Sequence, residues 1–176
     1  CVSGNRSTSG PTPQHEPSPD QPSGSKNKGV LMKDETRSAE MNWHGTTYRT
    51  ILTTAASGGS MSIVDSVSPP QSGPPRHVHH AEDEVFVLLS GECEFWLAGE
   101  TRTAGAGETV FVPRGTEHTF KVLSDHPCRH LVILTPGGFE GFFAEMAAGQ
   151  FRIPDDMGAI EESAARHNLS FTGPPL

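Results

Sequence analysis

The sequence predicts an all-β domain, an antiparallel sandwich or barrel, followed by one or two short C-terminal helices. Three observations carry this. Short runs rich in β-branched and aromatic residues recur from Thr46 to Thr135. Turn residues punctuate them at Ser90-Gly91, Ala98-Gly99, Gly105-Ala106-Gly107 and Pro113-Arg114-Gly115. After Pro136-Gly137-Gly138 the apolar period lengthens from that of a strand to that of a helix.

In chain order, residues 1–30 hold six Ser, five Pro and four Gly and no aromatic residue. Such a segment buries too little apolar area to offset its ordering entropy, so residues 1–35 are expected to form a disordered tail. The chain starts with Cys1 rather than Met. One reading is a lipidated cysteine on a flexible tether, a cell-envelope lipoprotein. The other is a fragment end in a cytoplasmic protein, with Met32 or Met41 nearer the true start.

Thr46–Thr54 and Ser60–Val67 read as strands joined by an Ala-Ala-Ser-Gly-Gly loop. Four prolines between Ser68 and Pro75 break the ladder and lead into His77-Val78-His79 in extended form. Strands are then expected at Val85–Leu89, Glu92–Leu97, Thr101–Thr103, Thr109–Val112, His118–Leu123 and Cys128–Thr135. Phe139, Phe142, Phe143 and Met146 mark a first helix, and Asp155–His167 a second with Arg166 and His167 in its last turn. The boundaries are a tail at 1–35, a β-domain at 36–138 and a helical extension at 139–176 packed on it.

Composition narrows the partners. The 176 residues carry 13 Lys plus Arg against 21 Asp plus Glu, a net charge of −8. Residues 1–35 contain four of each sign, so the excess negative charge lies from Thr36 onward. An acidic domain repels phosphate backbones, which argues against nucleic acid. No apolar run approaches the ~20 residues that span a bilayer. Cys1, Cys93 and Cys128 form no CxxC pair, so cysteine zinc sites are not indicated, while a Cys93–Cys128 bridge stays open.

The chemistry-bearing residues are His77, His79, Glu84 and His118. In a strand, alternate side chains share a face, so His77 and His79 point the same way. Glu84 shares its face with Phe86 and Leu88, and His118 with Phe120 and Val122. If those faces line one cavity, three imidazoles and a carboxylate converge within an apolar wall. Such a set suits a divalent first-row transition metal, and four ligands on a six-coordinate ion leave two positions open. Phe86 and Phe120 are candidate substrate-binding walls or plain core. His80, Glu82 and Asp83 are read as a solvated turn, and His44, His126, His130 and His167 as surface residues. Lys121 is read as facing away from His118.

His77-x-His79-x4-Glu84-x6-Gly91 resembles the first cupin motif, and Gly107-x5-Pro113-x-Gly115-x2-His118 resembles the second. The likeness runs from about Tyr48 to Thr135. The closing Thr135–Glu140 and Gly173–Leu176 look like a bacterial subgroup often labelled quercetin-dioxygenase-like, the cupin type 2 group. Three residues separate Gly73 from His77 where the family usually has five, and Val122 stands where an asparagine is often found. The resemblance implies a double-sheet jelly roll, the cupin β-barrel, and commonly a homodimer. It implies one divalent metal, Fe(II) first, with Ni, Mn, Zn or Cu as alternatives, held by His77, His79, Glu84 and His118. It implies a dioxygenase-like oxidoreductase acting with dioxygen on a small enolic or phenolic, flavonol-like compound; Glu84, a carboxylate able to swing off the metal, is the candidate catalytic base. The alternative is a metal-dependent small-molecule-binding module without turnover.

Overall fold

A computed structural model describes residues 39–176, together with Gly4. The tail expected at 1–35 lies outside the described residues except for Gly4. The strands are β1 (Met41–Trp43), β2 (Thr46–Leu52), β3 (Ser62–Ser68), β4 (Arg76–His79), β5 (Asp83–Ser90) and β6 (Glu92–Leu97). They continue as β7 (Glu100–Gly105), β8 (Thr109–Val112), β9 (His118–Val122) and β10 (Cys128–Thr135). Helices α1 (Glu140–Gly149) and α2 (Met157–Arg166) precede a last strand, β11 (Leu169–Gly173).

The strands form two antiparallel sheets, a six-stranded one ordered β1-β2-β3-β10-β5-β8 and a five-stranded one ordered β11-β4-β9-β6-β7. This is a double-sheet jelly-roll arrangement. Period-two patterning builds it. Along β5, Glu84, Phe86 and Leu88 are buried and alternate with half-buried Asp83, Val85 and Val87. Along β10, Cys128, His130, Val132 and Leu134 point inward. Together with Val64, Phe95, Val110, Val112 and Val122 these residues fill the space between the sheets. Each fully buried Val, Leu or Phe contributes ~1.5–3 kcal/mol, which makes this interior the main stabilising term.

The β5–β6 turn depends on Gly91. Its φ is +80°, and a Cβ there would stand 2.8 Å from Cys128 Cα, so only glycine fits. Cys93 and Cys128 are free thiols, buried and 3.3 Å apart at sulfur. Within the larger sheet, Asp65 accepts hydrogen bonds from both Arg49 and Arg129, tying β2, β3 and β10 together. These guanidinium groups, Arg129 first, hold the Asp65 carboxyl below its usual range against the effect of burial.

Helix α1 follows Phe139, and Phe139 and Phe142 stack at 5.2 Å between ring centroids. Glu140 accepts the backbone N–H groups of Thr54 and Gly138, fastening the helix start to the loop after β2. Helix α1 ends at Gln150, which adopts a left-handed conformation and donates its N–H to Met146 O. Helix α2 starts two residues later than the spacing suggested. Asp156 is its N-cap residue, and its carboxylate accepts the Arg152 N–H instead of sitting inside the first turn.

Two strands escaped the sequence reading. β1 is three residues long, too short for its period to register, and pairs with β2. β11 lies in the segment expected to be helical, and pairs with β4 because Leu169 is buried opposite His79. Among the described residues no helix is long and apolar enough to cross a membrane.

Candidate metal centre

His77 and His79 sit on β4, two residues apart and on one face. His118 sits on β9, directly opposite His77 in the strand pairing. Glu84 comes from β5 in the opposing sheet. The four side chains therefore meet across the interior, from both sheets, and all are buried. One ligand atom from each lies within 4.8 Å of the others, a group able to hold a metal ion. The imidazole centroids of His77 and His118 are 4.2 Å apart, and those of His79 and His118 are 5.6 Å apart.

The local hydrogen bonds suit that role. His77 Nδ1 lies 2.8 Å from Pro75 O, and His118 Nδ1 lies 2.9 Å from Thr116 O. A carbonyl accepts only a donated N–H, so each of these rings carries its proton on Nδ1 in the neutral form and offers Nε2 as a lone-pair donor. His79 differs. Its Nδ1 is buried without a partner and faces Glu82 Oε2, equally unpartnered, at 3.9 Å. Three imidazoles and one carboxylate are the donor types that divalent first-row metals take, so the residues present fit such an ion.

Glu84 Oε2 lies 2.8 Å from His118 Nε2 and 3.7 Å from His79 Nε2. Burial would raise the Glu84 carboxyl, but the neighbouring His79 and His118 imidazoles pull it down to about 2. Burial pushes His77 down to about 3 and His79 in the same direction. Burial also opposes charge on His118, but the hydrogen bond and charge of Glu84 override it and raise the imidazole. The cluster thus sets an ionised Glu84 beside His118, flanked by two imidazoles on which burial disfavours charge.

The surrounding backbone keeps these strands in place. Gly115 N–H donates to His79 O, and Arg114 grips the Asp83 carboxylate through its backbone N–H and its guanidinium. The turn before β9 is thereby tied to both β4 and β5. His80 is exposed and hydrogen-bonds Ser170 of β11, so it braces the edge strand and takes no part in the cluster.

The cluster opens into a cavity of about 500 Å³. Phe86 and Phe120 both line it, with ring centroids 5.6 Å apart. Phe139 adds an edge contact to His79 at 4.3 Å. Glu84 is the single carboxylate among the described lining residues. Two expectations need correction, those for Glu82 and His130. Glu82 is buried, not solvated, and burial raises its carboxyl. His130 is buried and lines the cavity, because it shares the inward face of β10 with Val132 and Leu134. Lys121 is half-buried and also contributes to the lining. The alternation along Cys128–Thr135 was a usable signal for His130. No periodic signal marked Glu82, because it lies in the turn between two strands.

A family model described as a cupin domain matches residues 65–134. Quercetin 2,3-dioxygenase of Bacillus subtilis is 28% identical over 96 residues, which cover 54% of this chain and 28% of that protein. An uncharacterised protein of Streptomyces coelicolor is 37% identical over 57 residues, 32% of this chain and 53% of its own length. The chain thus spans only about a quarter to a half of these curated relatives. The solved structure of KdgF from Halomonas sp. superposes with a TM-score of 0.53 at 17% identity, over 59% of this chain and 91% of that one. The cupin domain of Schizosaccharomyces pombe Cnp3 gives 0.51 at 14% identity, over 67% and 80% respectively. At these identities the two structures speak for the fold.

Proposed function

We propose that this chain, whose residues 65–134 match the cupin domain model, is a metal-dependent oxidoreductase of the dioxygenase type, acting on a small enolic or phenolic compound. The observation that supports this most is the joining of the His77–His79–Glu84–His118 cluster to a cavity walled by Phe86, Phe120 and Phe139. The partial likeness to a quercetin 2,3-dioxygenase points the same way. His77, His79, Glu84 and His118 would hold one divalent metal, with Fe(II) the first candidate.

A metal held there supplies Lewis acidity toward substrate oxygens and redox capacity toward dioxygen. The chain's own residues do the rest. His77 and His118 keep Nε2 toward the centre because their Nδ1 protons are committed to backbone carbonyls. The aromatic walls bind a flat ring and exclude water, which strengthens every polar interaction at the cluster. Glu84, held ionised by its neighbours, is the carboxylate placed to take the proton of an enol or phenol hydroxyl.

The test is oxygen consumption by anaerobically reconstituted Fe(II) protein given flavonols and 1,3-diketones, repeated with Ni, Mn, Cu and Zn. Uptake should require the metal and disappear in His79→Ala. Tight ligand binding with no oxygen consumed under any metal would instead assign a binding module.

A further inference from the structure

The cavity has a second polar end. Tyr48, Ser66 and His130 lie in one row across the neighbouring strands β2, β3 and β10. Tyr48 is the pairing partner of Ser66, and Ser66 that of His130. All three line the cavity. Ser66 is 1% exposed and His130 2% exposed. Ser66 Oγ and His130 Nδ1 both lack a hydrogen-bond partner. Leaving a buried polar atom unmet costs ~1–3 kcal/mol, so two beside each other in a cavity wall call for an occupant.

Register places this row relative to the metal centre. On β5 and β10, Glu84 pairs with Leu134, Phe86 with Val132, and Leu88 with His130. His130 is therefore four residues along the strand from the level of Glu84, roughly 13 Å of backbone at ~3.3 Å per residue. Between the two ends stand the Phe86 and Phe120 rings, 5.8 and 5.3 Å from the His130 ring. Other groups near the row are the Cys128 thiol against the imidazole and the Phe143 ring stacked on Tyr48 at 4.5 Å. No cationic side chain is paired across from these three residues, and Lys121, which also lines the cavity, pairs with Glu94 on the β9 face away from His118, so the row suits a neutral polar group.

The geometry points to Ser66 and His130 as a specificity subsite that reads a hydroxyl on the substrate's distal aromatic ring. A hydroxyl both donates and accepts, so it satisfies the serine and the imidazole whichever tautomer the latter adopts. The substrate is then a molecule of two linked rings. Chelating oxygens meet the metal centre at one end, an apolar body lies along Phe86 and Phe120, and a phenolic hydroxyl meets Ser66 and His130 at the other. This rests on the proposed phenolic substrate class and extends it.

The experiment compares two probes, 3-hydroxyflavone and its 4′-hydroxy derivative, by binding to metal-loaded protein without oxygen. Wild type should prefer the distal hydroxyl about tenfold, the worth of one to two hydrogen bonds. Ser66→Ala and His130→Phe should bind 3-hydroxyflavone as wild type does and lose the preference. Equal affinity for both probes in wild type, or a preference that survives both substitutions, overturns the subsite. In parallel, metal-free wild type labelled with ¹⁵N-histidine is titrated with p-cresol and with toluene, and the His130 Nδ1 resonance should move with p-cresol alone. If neither flavonol binds but p-cresol moves that resonance, the subsite stands and the flavonol-like substrate class falls. If neither flavonol binds and the resonance stays still, both fall.

Discussion

Of the three clustered imidazoles, His79 alone lacks a hydrogen-bond partner for its outward nitrogen. Glu82 is the group facing it, and a carboxylate there would orient the ring and raise its basicity toward a metal. Glu82→Ala should weaken metal binding by about 10–100-fold without abolishing it, measured by competition with a chromophoric chelator. Unchanged affinity would leave Glu82 with no function at the centre. Protonation makes a second prediction, for metal-free protein. An unfolded histidine takes its proton near ~6.5, whereas His77 in the fold resists until about 3. Between those values the unfolded chain binds more protons, so stability falls as pH drops through that window. His79 shares this direction, and Glu84 repeats it from its ordinary value down to about 2. His118 works oppositely, stabilising at low pH and fading as pH rises through its raised value. The urea midpoint of metal-free protein should therefore be higher at pH 7 than at pH 4.5, and His77→Phe should flatten the difference.

Strand β4 is the element on which the centre depends, since it carries two of the four side chains over only four residues. It cannot hold itself in place at that length. The preceding segment helps, because Gln71 N–H donates to Val122 O and Val122 N–H donates to Ser72 O along β9. Thr119 adds a hydroxyl hydrogen bond to Pro74 O. This close approach requires Gly73, where a Cβ would stand 1.8 Å from Phe120 O, against backbone that cannot yield cheaply. Gly73→Ala should destabilise the protein by roughly 2–4 kcal/mol and also weaken metal binding, because it separates β4 from β9. Urea denaturation and chelator competition on the same variant check both. On the other side β11 covers β4 and buries what would be an open sheet edge. Neither brace was readable in sequence. Gly73 looked like one more loop glycine with a displaced spacing, and β11 lay behind a helical pattern.

At the scale of the molecule, the two sheets carry the cluster between them, so a metal held there would couple its binding to folding. Anything that binds the folded state alone raises stability by mass action, ~2.7 kcal/mol at a hundredfold excess over the dissociation constant. For a domain of this size that is on the order of 10 °C in Tm. Calorimetry with and without added Fe(II) or Ni(II) should show such a shift in wild type and none in His118→Ala. A shift of equal size in the variant would place the metal elsewhere. The Cys93–Cys128 pair adds no cross-link to this interior, since both residues are buried free thiols.

Much of this protein was determined by local pattern. Period-two burial and turn residues dictate the strands from β2 to β10, because alternation and positive φ are properties of the backbone at each position. The spacing of His77, His79, Glu84 and His118 marks them as one set, because each interval fits a strand face or a turn. Distance across the interior is another matter. That β4 and β9 from one sheet meet β5 from the other, that Glu82 turns inward beside His79, and that Ser66 and His130 stand as a polar row facing the Phe86 and Phe120 rings, depends on which strands become neighbours. Pairing between residues far apart in the chain leaves no mark in the composition of either segment, so only the tertiary structure could decide it.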